Sequence, residues 1–344
     1  MATDAFVDKI GIIKPHPDAD RLEICFVRSS QCVIAKGVFE RFEQVLKIEE
    51  DAKLDVTRAW VQPYRNYLGN GDRVKNVRLR GVMSRGLVVS LKDPDIAKSL
   101  EGVDLENSLA VCKALGITHY ERPCKAQDAK GNLPAGIEKS DEENWQTLKE
   151  HELHLGETAL ITHKVDGSSA VLYYDPHQDK LEFCSRTLTL KTQNDLGKPL
   201  ENNYIKALTP YISHVKALAK NLGEIVAIRG EIYGNGINGH KVNQDAKKSL
   251  GFAMYGVRFP ESDNPRKRLG RWRSGWHFLE VNQMFQEFGL APIPTVPVLG
   301  VETVTKELLV KLSEQPVEMG EGTVLNGESW SYKAKSDDYC SKMK

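Results

Sequence analysis

The sequence lacks an excess of charge of either sign: lysine plus arginine and aspartate plus glutamate both total 47 in 344 residues. Such a chain has no global attraction for a polyanion, so any nucleic-acid contact must come from local patches. Cysteine is sparse. The six cysteines, Cys25, Cys32, Cys112, Cys124, Cys184 and Cys340, include no CxxC pair. That argues against a structural zinc site or a disulfide framework and fits a reducing compartment. Long apolar runs are missing too. No stretch could span a membrane as a helix, and the opening MATDAFVDKIGIIKPHPD has no apolar signal core. The expected location is the cytoplasm, or the nucleus in a eukaryote. No internal repeat or low-complexity segment is visible. What is left is ordinary globular composition, 40% hydrophobic and 27% charged, with length enough for about two domains.

Residues 5–110 alternate short β-like runs with turns (FVDKIGIIK, LEICFVR, QCVIAKG, DRVKNVRLRGV, RGLVVSL), the pattern of a small barrel. Within Val74–Val82, Val77 and Leu79 alternate with Arg78 and Arg80, so one face would enter the core while the other presents arginines. Lys75, Arg85 and Lys92 add charge nearby. This is either a solvated strand face or a phosphate-tracking surface. Residues 111–136 read as a linker, with one short helix around Leu109–Leu115. Asp141–Gln146 opens a predicted helix that runs to about Leu153.

Further on, Ala159–Lys164, Ala170–Tyr174, Lys180–Thr187, Ile225–Tyr233 and Gly251–Phe259 read as strands, as do Gly322–Leu325 and Ser329–Lys335. Ile205–Leu222 has helical spacing interrupted by Pro210, with Gly223 placed as its C-cap. Trp276–Phe288 is a predicted amphipathic helix burying Trp276, Leu279, Met284, Phe285 and Phe288. Asn264–Trp276 is the most basic tract; Arg271 and Arg273, interleaved with Trp272 and Trp276, suit either a solvated loop or a clamp on a nucleic-acid strand.

The chemistry concentrates around Ile161–Ser169, ITHKVDGSS. Lys164 is a covalent nucleophile only if it can lose its proton. Asp166 would share its face on a strand and could hold a divalent metal or its waters. Gly167 lets the backbone approach a ligand. Four more features follow. Glu231 ends an apolar run in RGEIYG, where a carboxylate needs a partner. Tyr255 lies in GFAMYGVRF, Glu321 stands directly before a strand in GEGTVLN, and Lys333 and Lys335 alternate in WSYKAKS. Singly these read as strand ends, a core tyrosine and an amphipathic strand. As a set they supply a lysine nucleophile, three carboxylates for metal and two lysines for a phosphate, the parts needed for nucleotidyl transfer through a lysyl intermediate.

In this order the residues resemble the covalent nucleotidyltransferase superfamily of ATP-dependent ligases and mRNA-capping enzymes. Lys164-Val-Asp-Gly is similar to its motif I, Ser185-Arg186 to Ia, GEIYG to III, FAMYGVR to IIIa, EGTVL to IV and KAK to V. PHPDADRLE (Pro15–Glu23) and LRGVMSRG (Leu79–Gly86) together resemble the OB-fold tRNA-binding modules of some aminoacyl-tRNA synthetases. With that module first and motif V near the last residue, the order resembles the fifth family of ATP-dependent RNA ligases. LGITHYE (Leu115–Glu121) looks ligase-like as well.

The resemblance implies an α+β fold: an N-terminal OB-fold β-barrel (1–110), a linker (111–136) and a nucleotidyltransferase domain of antiparallel sheets flanked by helices (137–344). It implies ATP and Mg2+ or Mn2+ as cofactors, RNA as partner, most naturally a nicked duplex with RNA at the 3′-OH side, and a monomer. By resemblance Lys164 takes AMP from ATP, and Lys333 and Lys335 neutralise the phosphate. Asp166, Glu231 and Glu321 hold the metal, and Thr162, His163, Arg186, Glu231, Tyr255 and Val324 bind the nucleotide. Arg78, Arg80, Arg85, Arg271 and Arg273 contact RNA. There are departures: Ser169 stands where many relatives have Arg or Asn, Gly256 where Asp is common, and Thr162-His163 where several ligases have an acidic residue. The other readings are a DNA ligase or RNA guanylyltransferase of the same superfamily, and a non-catalytic RNA-binding protein. The absence of an OB domain after motif V counts against the first two, and retention of the charged set against the third.

Overall fold

The computed structural model describes residues 4–120, 128–137, 139, 142–194, 196–258, 273–274 and 276–342. The chain divides into two compact units, Met1–Arg122 with Glu143–His154, and Pro123–Glu142 with Leu155–Lys344.

The first unit is a five-stranded antiparallel sheet in the order β3-β2-β1-β4-β8, from β1 (Ala5–Pro15), β2 (Leu22–Val27), β3 (Ser30–Ala35), β4 (Gln44–Ile48) and β8 (Leu87–Ser90). Between β4 and β8 come the two-residue β5 (Ala52–Lys53) and a hairpin of β6 (Val77–Leu79) and β7 (Val82–Ser84). The barrel closes where β3 meets the β7–β8 segment. Val33 N–H donates to Ser84 Oγ at 3.0 Å, and Arg85 N–H to Gln31 O at 2.9 Å. Strand alternation sends Cys25, Val27, Cys32 and Ile34 inward to pack with Phe6, Ile10, Val45 and Val88. The two OB-like signatures touch, because His16 Nε2 lies 3.0 Å from the Leu79 carbonyl.

The arginine face differs from the alternation expected. Val77 and Leu79 are only half-buried and Arg78 is exposed. Arg80 is off the strand: with Gly81 it forms the two-residue turn of the β6–β7 hairpin, at φ 47° and 84°, the pattern of a type I′ turn. Arg85 is half-buried between β7 and β8.

The predicted short helix is present as α2 (Ser108–Leu115), after α1 (Pro94–Ser99). Asn107 caps it through Ala110 N–H, and Gly116 ends it in the left-handed region. It packs Val111, Cys112 and Leu115 into a core with Trp60 and Val61, and β9 (Thr118–His119) follows, paired with β5. The helix expected to run to Leu153 does not form. After β10 (Ala129–Asn132) of the second unit, the chain makes β11 (Glu143–Asn144) and two 3-10 turns, Trp145–Thr147 and Glu150–Glu152. Arg28 Nη1 takes the Thr147 carbonyl at 2.6 Å, an acceptor that a continuing helix would use.

In the second unit the main sheet runs β10-β15-β14-β13-β16-β17-β18. Its strands are β13 (Ser168–Asp175), β14 (Lys180–Ser185), β15 (Leu188–Leu190), β16 (Val226–Tyr233), β17 (Gly251–Arg258) and β18 (Arg273–Ser274), with β10 at its edge. A smaller sheet orders β21-β20-β12-β19, from β12 (Thr158–His163), β19 (Val298–Thr303), β20 (Gly322–Asn326) and β21 (Ser331–Lys335). Pro210 splits the predicted helix into α3 (Asn203–Leu208) and α4 (Ile212–Leu222) around a 3-10 turn, and Gly223 caps it at φ 69°. Val215, Leu218 and Ala219 of α4 pack on Leu172, Val226 and Ile228 of the main sheet, each large side chain worth about 1.5–3 kcal/mol on burial.

Helix α5 (Trp276–Glu287) buries Phe278, Val281 and Phe285, an i, i+3, i+7 stripe. Leu279, expected inside, is 46% exposed, and Met284 and Phe288 are only half-buried, because the stripe is rotated by one residue. The Trp276 side chain lies outside the described residues. Helices α6 (Lys306–Ser313) and α7 (Asp337–Lys342) complete the unit. Among the described residues no helix is long and apolar enough to cross a membrane.

Candidate active site

The segment 164–167 carries the chain from β12 of the small sheet to β13 of the main one, so its residues lie where the two sheets meet. In the small sheet Thr162, Val324 and Lys333 form one rung. One step along, Lys164 N–H donates to the Gly322 carbonyl at 3.0 Å, and Gly322 pairs with Lys335. Because strand neighbours two apart share a face, Thr162, Lys164, Val324, Lys333 and Lys335 all belong to one side of this sheet. Two glycines permit the approach. A Cβ on Gly167 would lie 2.1 Å from the Ile232 carbonyl oxygen and 2.8 Å from Glu231 Cγ; one on Gly322, at φ 145°, would lie 2.3 Å from the Ala334 carbonyl oxygen. The bare backbone at Gly167 lets strand β16 bring Glu231 beside the lysine.

Lys164 Nζ donates to Glu321 Oε2 at 2.6 Å. Burial pulls the Lys164 ammonium toward neutrality, but the charges of Glu321 and Glu231 outweigh that and Lys335, and the pKa lies above the ordinary lysine value. Glu321 feels burial in the opposite sense, yet Lys164, Lys335 and Lys333 hold its carboxyl below the usual range. Glu231 is pushed well up, first by burial, with Glu321, Asp166 and Glu142 adding to the effect against Lys164. As the site stands, Lys164 is therefore a paired cation, and it must lose that proton before it can act as a nucleophile.

A cleft opens beside the lysine, lined by Thr162, His163, Lys164, Glu231, Tyr255 and Val324 together with Phe278, Val296 and Asn326. Tyr255, Phe278, Val296 and Val324 supply apolar lining and Lys164 and Glu231 a charged end, a combination that suits a planar base bearing a charged group. Tyr255 and Ser169 share a hydrogen bond of 3.0 Å across β13 and β17. Burial, and then Glu231, hold the Tyr255 phenol above its ordinary pKa. Asp166, Arg186, Glu321, Lys333 and Lys335 are not among the residues lining this cleft. Arg186 follows Ser185 at the end of β14. Arg271 lies outside the described residues, and of Arg273 only the backbone is described, paired with Val257.

Asp166 falls in the connection rather than on a strand, so the alternation that would put it beside Lys164 does not apply. Its carboxylate accepts from Asn238 Nδ2 at 3.1 Å, lies 2.7 Å from His240 Nε2, and accepts from the Tyr339 hydroxyl. Among the described residues no three His, Cys, Asp or Glu side chains are close enough to hold a metal by themselves. Glu231 and Glu321 instead offer two hard oxygen groups. That fits a hydrated divalent ion, which takes one or two carboxylates, waters and substrate phosphates.

Sequence reasoning passed over the residues behind Asp166. Asn243 Nδ2 donates to the Asp166 carbonyl at 3.0 Å, and Asp166 N–H donates to Asp245 Oδ2 at 3.1 Å. Asp245 also accepts from Lys248 Nζ at 2.7 Å and lies 3.5 Å from His163 Nε2. Although burial opposes it, these bonds hold the Asp245 carboxyl well below the carboxylate range. The signal was available in GNGINGHKVNQD, a run dense in Asn, His and Asp between two apolar strands.

Residues 157–343 match the family model described as RNA ligase, and residues 4–91 match an OB-fold domain model. Among solved structures, a Naegleria gruberi RNA ligase with pyrophosphate is 25% identical at TM-score 0.78, over 98% of this chain and 98% of that one. A lysine-to-alanine mutant of that ligase with ATP and Mn is 24% identical at TM-score 0.77, over 98% of each chain. A glutamate-to-alanine mutant with AMP and Mn is 24% identical at 0.77, over 99% of this chain and 98% of that one. No curated protein sequence matches the chain.

Proposed function

The chain belongs to the RNA ligase family, and from that premise we propose that it seals 3′-OH/5′-phosphate breaks in RNA using ATP. The observation that carries this reading is Lys164, held 2.6 Å from Glu321 and lining a cleft with Tyr255 and Val324. Lys164 Nζ, once deprotonated, attacks the α-phosphorus of ATP; an N–P bond forms and pyrophosphate leaves. The AMP then passes to the RNA 5′-phosphate, and the 3′-OH displaces it to close the phosphodiester. Tyr255 and Val324 take the adenine between them, and Thr162, His163 and Arg186 contribute to nucleotide binding. Lys333 and Lys335 counter charge that develops on the phosphate, since phosphoryl transfer depends largely on positioning and electrostatics. Glu231 and Glu321, with Asp166 near enough to act on Glu231, are the groups that would hold hydrated Mg2+ or Mn2+. When bound, the ion supplies positive charge at the phosphates and competes with the Lys164 proton for the same carboxylates.

The preferred substrate in this reading is a nicked duplex with ribonucleotides on the 3′-OH side, handled by a monomer in the cytoplasm or nucleus. Arg78, Arg80 and Arg85 of the N-terminal OB-fold domain, and Arg271 and Arg273, are the cationic groups assigned to it. The test is incubation with labelled ATP, GTP or NAD, with and without a divalent cation, followed by denaturing electrophoresis. An adduct is expected from ATP plus metal only, stable to mild base and lost in Lys164→Ala. An equal adduct from GTP would move the protein to the capping enzymes. Equal sealing of an all-DNA nick would make it a DNA ligase.

A further inference from the structure

Strand β1 of the OB-fold domain carries an irregularity where its pairing passes from β4 (Ala5–Lys9) to β2 (Ile10–Pro15). Its register with β2 slips between Ile10 and Ile12, leaving Gly11 in a bulge. Two groups from the β3–β4 connection dock there. Phe42 N–H donates to the Ile10 carbonyl at 2.8 Å, and Arg41 Nε donates to the Gly11 carbonyl at 2.8 Å. Phe42 is held at φ 67°, a left-handed conformation that is uncommon for an aromatic residue, yet the residue is 61% exposed. The Arg41 guanidinium lies over that ring, 4.5 Å from its centre. A strained backbone fixed by two hydrogen bonds to present an aromatic ring to solvent is costly unless the ring is used.

The same strand repeats the pairing. Ile12, 53% exposed, sits opposite Phe26 of β2, and Lys14 Nζ lies over the Phe26 ring at 5.3 Å. Val38, 58% exposed, precedes the Arg41–Phe42 pair. Among the described residues no carboxylate pairs with Arg41 or Lys14. From Ile10 to Lys14 the strand runs about 13 Å, enough for more than one nucleotide. Rings bearing unpaired cations complement a polymer of flat bases and phosphates; a protein partner would need a continuous apolar patch instead.

We propose that the bulged segment of β1, with Arg41–Phe42 and Lys14–Phe26, is a stacking platform for an unpaired RNA segment flanking the nicked duplex, one base on Phe42 and phosphates on Arg41 and Lys14. This rests on the reading of the protein as an RNA ligase. The experiment is fluorescence-anisotropy titration of the full-length protein with a labelled mixed-sequence single-stranded RNA over a range of salt. Phe42→Gly is the informative change, because glycine suits the positive φ and removes the ring without opposing the fold; a melting curve checks each variant. Affinity should fall by about fivefold to a hundredfold, the effect of losing one stacked base, and Phe42→Trp should restore it. Arg41→Ala and Lys14→Ala should each reduce the slope of log affinity against log salt by about 0.7, the value for one phosphate contact on a single strand. A folded Phe42→Gly protein that binds RNA as wild type does would overturn the platform and leave the ligase reading intact. Salt slopes unchanged in both cation variants would also overturn it. Failure of the wild-type protein to bind the single-stranded RNA would likewise overturn the platform, whereas failure to form any adduct with ATP and metal would refute the ligase reading itself.

Discussion

Replacing Glu321 by glutamine separates two jobs that the proposed mechanism gives this carboxylate, acting in opposite directions. In the unliganded protein Glu321 holds the Lys164 proton, 2.6 Å away with both side chains less than a quarter exposed. Two unit charges at that distance, at an effective dielectric of about 20, attract by ~6 kcal/mol before desolvation is counted. Even a third of that changes the lysine pKa by more than about one unit. In Glu321→Gln the burial and Lys335 that pull the lysine down remain, while Glu231, held well above its usual pKa, opposes them less effectively. The ammonium pKa should then fall below the ordinary lysine value, and Lys164 should react faster with a small amine-directed reagent near neutral pH. Lysyl-AMP formation should move the other way, dropping by at least about a hundredfold, as when an electrostatic group is lost from a transition state. The assay is competitive acylation across pH, read on the Lys164 peptide by mass spectrometry, beside adenylylation of the same sample. A lysine that labels with unchanged pH dependence would show that the pair does not set its protonation. Undiminished adenylylation would remove Glu321 from the chemistry.

Two further outcomes are expected. Lys335→Ala should lower adenylylation by about a hundredfold while the protein stays folded, since Lys335 acts on both Lys164 and Glu321; single-turnover rates with matched melting curves check this, and a near-wild-type rate would exclude Lys335 from the site. Tyr339→Phe removes a buried hydroxyl from the Asp166 carboxylate and should cost about 1.5–3 kcal/mol of stability, the range for a hydrogen bond to a charged group; an unchanged denaturant midpoint would mean that the bond contributes nothing.

Periodic features were legible in the sequence, and local exceptions were not. Pro210 and Gly223 have one backbone meaning each, so the broken helix and its end followed directly. The rung of Thr162, Val324 and Lys333 follows from strand alternation once the pairing is known. Arg80 escaped the same rule because Arg-Gly is also a hairpin turn, and a turn consumes the residue that alternation would place on a face. The run after Asp141 has acidic residues suited to a helix start, but the Thr147 carbonyl is claimed by Arg28, far away in sequence. In α5 the apolar residues are frequent enough to allow two adjacent stripes, and only packing selects Phe278 over Leu279.

The deeper gap concerns Asp166. Motif spacing places it beside Lys164 and suggests a metal ligand, yet its oxygens are taken by Asn238, His240 and Tyr339. Those partners come from the loop after β16 and from α7, more than 70 residues away at the nearest, and none belongs to a motif. Buried carboxylates persist only when hydrogen-bonded or paired, so such partners had to exist, but sequence cannot say which. The consequence is electrostatic. With the Asp166 carboxylate turned to its own hydrogen-bond partners and Glu231 driven toward its neutral form, Glu321 is the carboxylate held ionised against Lys164, Lys333 and Lys335. A chain whose total charge balances thus concentrates positive charge on one face of one sheet, where the proposed reaction requires it.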